Sequence, residues 1–182
     1  MPVENPTHRA FHSTSQRLPW LMITLLGGVA MTELVRQFSW AISNDTALAG
    51  FIPVMMGMSG NVAIQAATIS VYSFINKTNE NGKLREKIAH EIKVGALLGI
   101  AFALSIGIYA GLRFDNHRLG IAVATAATFE LVAAATWGMI APLILYRLGF
   151  DTSVALGPVV TTIADILALS IYFTTCTIIM QL

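Results

Sequence analysis

Gly157, Thr161 and Asp165 recur at intervals of four in GPVVTTIADILALSIYF (157–173). On a helix that spacing places them on one face. Gly157 bares backbone, Thr161 offers a hydroxyl and a carbonyl, and Asp165 carries a charge. Pro158 leaves the carbonyl at position 154 without its usual helical partner. The segment is otherwise apolar. An aspartate at bilayer depth costs roughly 2.5–3.5 kcal/mol on insertion scales, so it is kept where it faces a cavity, a partner or an ion. No Lys or Arg follows Asp165, and the nearest before it is Arg147. A mobile cation, or a proton, is the natural candidate to neutralise it.

A second polar set lies in SGNVAIQAAT (59–68), which supplies Gly60, Asn61, Gln65 and Thr68. Asn61, Gln65 and Thr68 stand at i, i+4 and i+7, again one helix face. All the side-chain donors in the two sets are hard oxygens, with no thiolate or imidazole among them. Such donors suit Mg²⁺ or Ca²⁺ and not Zn²⁺ or Cu⁺. One carboxylate is too little to hold a bare divalent ion, and Mg²⁺ gives up its water reluctantly. The simplest arrangement keeps the ion hydrated and reads its water shell with carbonyls, amides and hydroxyls. Two copies of Asp165 about a two-fold axis would supply two negative charges. A proton relay would use many of the same residues.

Two further acids fall in apolar surroundings. Glu130, in ATFELVAAATWG (127–138), has no basic residue near it. It is either an ion-pathway residue and a second metal-facing carboxylate, or a protonated carboxyl bonded to a neighbouring helix. Glu33 precedes Arg36 by three residues, which is ion-pair spacing on a helix. His8, His12, His90 and His117 are scattered without metal-ligand spacing, and the single Cys176 has no disulfide partner within the chain. There is no nucleophile–base pair and no phosphate loop, so no enzyme is expected.

The elements that must carry these residues are membrane spans. The 182 residues are 55% hydrophobic and 12% charged, against about 25% charged in soluble domains. The mean hydropathy is +0.67. A helix needs about twenty apolar residues to cross the hydrocarbon, and five such runs are expected: 19–42, 48–75, 94–112, 119–148 and 153–180. Residues 1–18 form a short polar segment before the first. Pro53, Pro142 and Pro158 fall in the second, fourth and fifth runs, where they either mark irregular backbone lining a cavity or merely kink the helices. Numbering compartments alternately, Lys and Arg divide eight to three in favour of the N-terminal side. That places the N-terminus in the cytoplasm and the C-terminus outside, in a multi-pass plasma (inner) membrane protein. GALLG (95–99) and GIYAG (107–111) carry spacing that lets two helices approach closely, either within a subunit or between subunits. The loop INKTNENGKLREKIAHEIK (75–93) is net positive, which suits it poorly to bind Mg²⁺.

RLPW (17–20), FIPVMMGMSGN (51–61) with AIQAAT (63–68), and DTSVALGPVVTTIAD (151–165) together resemble the transmembrane domain of the MgtE family of magnesium channels. Order, spacing and span count match over nearly the whole chain. The resemblance implies a homodimer with its pore between the subunits, lined by the second and fifth spans. It implies a hydrated Mg²⁺ held at Asp165, with contacts at Thr161 and Gly157 and, on the second span, at Asn61, Gln65 and Thr68. The pattern departs at Ser59, where the family has a first Gly of Gly-Gly-Asn. It departs also at Thr152-Ser153, in place of Pro-Ala, and at Ile64, often small or polar. The family's cytoplasmic sensing region is not matched, so the expectation is a minimal member or an excised pore domain.

The fold expected is therefore an all-α integral membrane protein with five transmembrane helices per subunit and the pore at the dimer interface. The function expected is a Mg²⁺ channel, with Ca²⁺, Mn²⁺ or Co²⁺ as further candidate ions. The alternatives are a Na⁺- or H⁺-coupled Mg²⁺ exchanger using Glu130, and a non-transporting scaffold subunit. Expected partners are a second copy and the lipid bilayer, with a separate regulatory subunit as a further candidate and no nucleic acid.

Overall fold

The computed structural model describes residues 6–75 and 84–182, and every element in them is helical. The order is α1 (Pro6–Gln37), α2 (Ser39–Asn44), α3 (Ala47–Ile75), α4 (Leu84–Arg113), α5 (His117–Arg147) and α6 (Thr152–Met180). All but α2 are long and apolar enough to cross a membrane. The five expected spans are thus α1, α3, α4, α5 and α6. Lys77, Glu80 and Lys83 of the polar loop lie outside the described residues.

Three boundaries differ from the hydropathy reading, each for a physical reason. The α1 helix already runs from Pro6, well ahead of Pro19, because the polar residues between them do not break a helix. At the other end it stops at Gln37, and the short α2 absorbs the rest of the expected span. The α4 helix begins ten residues early, at Leu84, because LREKIAHEIK is rich in strong helix formers. Hydropathy marks where a helix enters lipid, whereas propensity decides where it starts. Pro53, Pro142 and Pro158 each lie inside an unbroken helix.

Packing follows the rule for helices in lipid, where small residues allow close approach and polar groups bond across. Gly95 and Gly99 of α4 abut Leu131, Ala135 and Thr128 of α5, and Gly107 abuts Gly120 and Ala124. The GALLG and GIYAG spacings therefore serve contact within the chain. Gly138 of α5 lies against the Ala63 backbone of α3, with no room for a side chain. The Ser70 hydroxyl donates to the Met139 carbonyl at 2.9 Å across the same crossing. Near the other end of α3, the Tyr172 hydroxyl donates to the Leu48 carbonyl at 2.9 Å. The α1 helix packs chiefly on α6, with Gly27 seated on Thr162. Arg36 Nε donates to Glu33 Oε2 at 2.7 Å with both side chains exposed, as their spacing predicts.

The Gly138 crossing gives a stability test. Gly138→Val forces a branched side chain into the Ala63 carbonyl and should destabilise the protein by several kcal/mol, beyond the ~1–3 kcal/mol of ordinary overpacking. Gly28 has open space around it, so Gly28→Val should be near neutral. Thermal unfolding of both variants in one detergent measures the difference; equal melting temperatures would contradict the packing described.

Candidate functional site

The α3 and α6 helices bring the two polar sets together at Gly60. A Cβ added at Gly60 would lie 3.5 Å from Asp165 Oδ1 and 4.0 Å from Thr161 Cγ2. The bare backbone of α3 therefore faces the carboxylate and the threonine of α6 directly. Two hydrogen bonds fix the α6 stretch that carries them. Ser59 Oγ donates to the Ala164 carbonyl at 3.0 Å, one residue from Asp165. Trp137 Nε1 of α5 donates to the Val160 carbonyl at 3.1 Å, one residue from Thr161. Ser59 is buried, as are Val160 and Ala164, so these clamps lie on the inner side of α6.

The polar faces themselves point outward. Asn61, Gln65 and Thr68 are exposed along α3, and Gly157, Thr161 and Asp165 are half-buried along α6. The Thr161 hydroxyl donates to the Gly157 carbonyl at 2.9 Å, and Thr68 donates to Ile64 at 2.8 Å. Both threonines thus satisfy their own helix while leaving oxygen lone pairs on the open face. Ile64 packs partly against the core between α3, α5 and α6, so the departure from a small or polar residue is absorbed as packing. Neither α3 nor α6 contains a Lys or Arg. Among the described residues, no side chain makes an ion pair or hydrogen bond with the Asp165 carboxylate.

Glu130 lies elsewhere. It is 2% exposed on α5, and its Oε2 is buried without a hydrogen-bond partner among the described residues. Glu130 therefore belongs to the interior of the bundle, whereas Asp165 opens on its surface. Among the described residues no three His, Cys, Asp or Glu side chains gather as ligands for a bare ion. The geometry offers one carboxylate, glycine backbone, amides and hydroxyls along an open crevice, which suits the water shell of a hard cation.

Sequence reasoning passed over two residues. Ser59 entered only as a departure from a glycine pattern, and Trp137 only within the stretch around Glu130, without a role. Their partners are backbone carbonyls, which leave no mark in a sequence. Gly60 was noted in its stretch without a role, and its closeness to Asp165 is a tertiary fact.

The crevice predicts graded access to position 165. In an Asp165→Cys protein the new thiol should react readily with a charged, water-soluble thiol reagent, since native Cys176 is buried. Gly60→Ala should leave that rate nearly unchanged, because the added Cβ makes only ordinary contact. Gly60→Leu should slow it about tenfold or more by filling the space, a factor equal to about 1.4 kcal/mol. Equal rates in all three backgrounds would place position 165 outside the crevice.

A family model described as a divalent cation transporter, MgtE, matches residues 52–175. The chain is 29% identical over 179 residues to a magnesium transporter MgtE of Enterococcus faecalis, covering 98% of this chain and 40% of that protein. It is 30% identical over 165 residues to a magnesium transporter MgtE of Bacillus subtilis, covering 91% and 37%. It is 29% identical over 166 residues to one of Thermus thermophilus, covering 91% and 36%. The chain therefore spans about two fifths of the length of the curated relatives it matches.

Proposed function

The chain belongs to the MgtE family, and from that premise we propose that it moves hydrated Mg²⁺ across a membrane along the α3–α6 crevice, with Asp165 as the central ion site. The observation that carries this reading is the Asp165 carboxylate set against the bare Gly60 backbone, between two helices that contain no basic residue. A charge in that setting needs a mobile counter-ion. Gly157 and Thr161 continue the path on α6, and Asn61, Gln65 and Thr68 continue it on α3. The oxygen donors favour a hard ion, Mg²⁺ first, with Ca²⁺, Mn²⁺ and Co²⁺ as competitors.

The outward-facing amides and carboxylate are poorly suited to lipid. A second copy across a two-fold axis would cover them, enclose the path and double its negative charge. The chain so read is a pore-forming unit, residues 19–182, preceded by a short polar segment at 1–18. In the orientation set by Lys and Arg its N-terminus is cytoplasmic, its C-terminus lies outside and the membrane is the plasma membrane. A regulatory subunit supplied separately is compatible with this reading. In the channel form the membrane potential drives the ion, at about 2.3 kcal/mol per charge per 100 mV.

One observation favours a second reading. Glu130 is a buried carboxyl with an unpartnered oxygen, and a transporter that couples Mg²⁺ to Na⁺ or H⁺ has use for such a group. Mg²⁺ flux into liposomes with and without a Na⁺ or H⁺ gradient separates the two. Flux that follows the Mg²⁺ gradient and voltage alone supports the channel, and an absolute need for the second gradient supports the exchanger.

Asp165→Ala should abolish or sharply reduce Mg²⁺ flux in a protein that still folds. Asp165→Asn should fail nearly as badly, since it keeps the shape and loses the charge. Normal flux in folded Asp165→Ala protein would sink the site assignment.

If the ion keeps its water, the path reads the size of the shell. Cobalt(III) hexammine, which resembles hydrated Mg²⁺ and cannot shed its ligands, should compete with Mg²⁺ for the site. Absence of competition at any concentration tested would argue for direct coordination.

A further inference from the structure

A groove of about 570 Å³ runs along the crossing of α4 and α5, away from the residues of the polar crevice. Gly107, Gly111 and Gly120 form its floor, and Leu104, Ile108, Leu112 and Ile121 form its walls. It exists because the glycines draw the two helix backbones together while the large side chains on either side stand clear. Gly107 and Gly120 are already in contact across it. The four wall residues are all exposed, and in a membrane that exposure is to lipid. From Ala103 to Leu112 the groove extends about 14 Å along α4 at 1.5 Å per residue. Half of a hydrocarbon core about 30 Å thick is about 15 Å. The groove therefore has the length and polarity of one acyl chain in one leaflet.

Its mouth is charged in a complementary way. The turn RFDNHR (113–118) closes α4 and opens α5, and places two arginines and a histidine against one acid. His117 lines the groove itself. Arg113 and Arg118 flank it and are exposed, and neither forms an ion pair among the described residues. Arg113 instead lies over the Phe114 ring, 5.7 Å from its centre, and directly follows Leu112 of the groove wall in the chain. At the end of a spanning helix such cations sit at headgroup depth. A second copy is the poorer occupant, because the glycines that would receive its helix are already used between α4 and α5.

We propose that this groove is a binding site for an anionic phospholipid, with one acyl chain between α4 and α5 and its phosphate at Arg113, His117 and Arg118. The site is independent of how the chain moves ions, since it shares no residue with the crevice.

The test compares phosphatidylglycerol with phosphatidylcholine of identical acyl chains, in mixed nanodiscs, by native mass spectrometry of the released protein. Phosphatidylglycerol should be retained in preference. Arg113→Gln and Arg118→Gln should each lower its retention about fivefold, the scale of one basic side chain's attraction to an anionic surface. Gly111→Leu should lower it as well by filling the groove. A Cβ at Gly111 meets only the Gly120 Cα at 4.0 Å, so this variant is expected to fold. Ile108→Trp, on an exposed wall, is a second way to block the groove. Equal retention of the two lipids overturns the proposal, as does a preference that survives either the arginine or the groove-filling variants. Efficient cross-linking of two copies through Ile108→Cys would overturn it too, by showing a protein helix in the groove.

Discussion

The Ser59 hydroxyl bonded to the Ala164 carbonyl ties α3 to α6 beside the point where Gly60 and Asp165 meet. Gly60 follows Ser59 and Asp165 follows Ala164, so the bond sets the gap between bare backbone and carboxylate. Trp137 fixes α6 from the other flank, at Val160. Both partners are main-chain carbonyls in a helix, and so the clamps use lone pairs that remain after the helical bonds are made. The α6 helix is thereby positioned without any side chain of its own polar face being consumed. Thr161 and Asp165 stay open toward the crevice because other residues do the holding.

This division of labour explains how two acids on adjacent helices differ so much in setting. Asp165 lies on the open face of α6, against a glycine. Glu130 is buried on α5, inside the bundle. Burial of a carboxyl without a partner is expensive, whereas a half-buried one can exchange counter-ions with water. The two acids therefore stand in different settings, one half-buried at the surface and one enclosed.

Much of this was legible in the sequence, and the limits were physical. Five spans followed from apolar runs, because the length of a spanning helix is set by the thickness of the hydrocarbon. The Gly157–Thr161–Asp165 and Asn61–Gln65–Thr68 faces followed from helical spacing, and the Glu33–Arg36 pair from its interval of three. Helix ends were less legible. At α4 the polar run from Leu84 continues the helix by propensity, out of sight of any hydropathy window. Clamps such as Ser59 and Trp137 were not legible, because each depends on which turn of another helix lies opposite. The GxxxG spacings could be read as close packing but not as to whose helix fills them.

Those glycines also bear on the shape of the lipid-facing surface. A helix pair joined through Gly95, Gly99, Gly107 and Gly120 has its backbones in near contact, so its large side chains cannot meet over the seam. The seam of α4 and α5 is consequently a furrow, while that of α3 and α6 is clamped by a polar bond and opens on amides and a carboxylate. One small-residue rule thus produces two different surfaces, and the difference lies in what flanks the glycine. Gly60 is followed by Asn61 and faced by Asp165, and its crevice is polar. Gly107 and Gly111 are flanked by Leu104, Ile108 and Leu112, and their furrow is apolar up to the arginines at its rim. In both places the absent side chain creates the space, and the neighbouring residues determine what that space can hold.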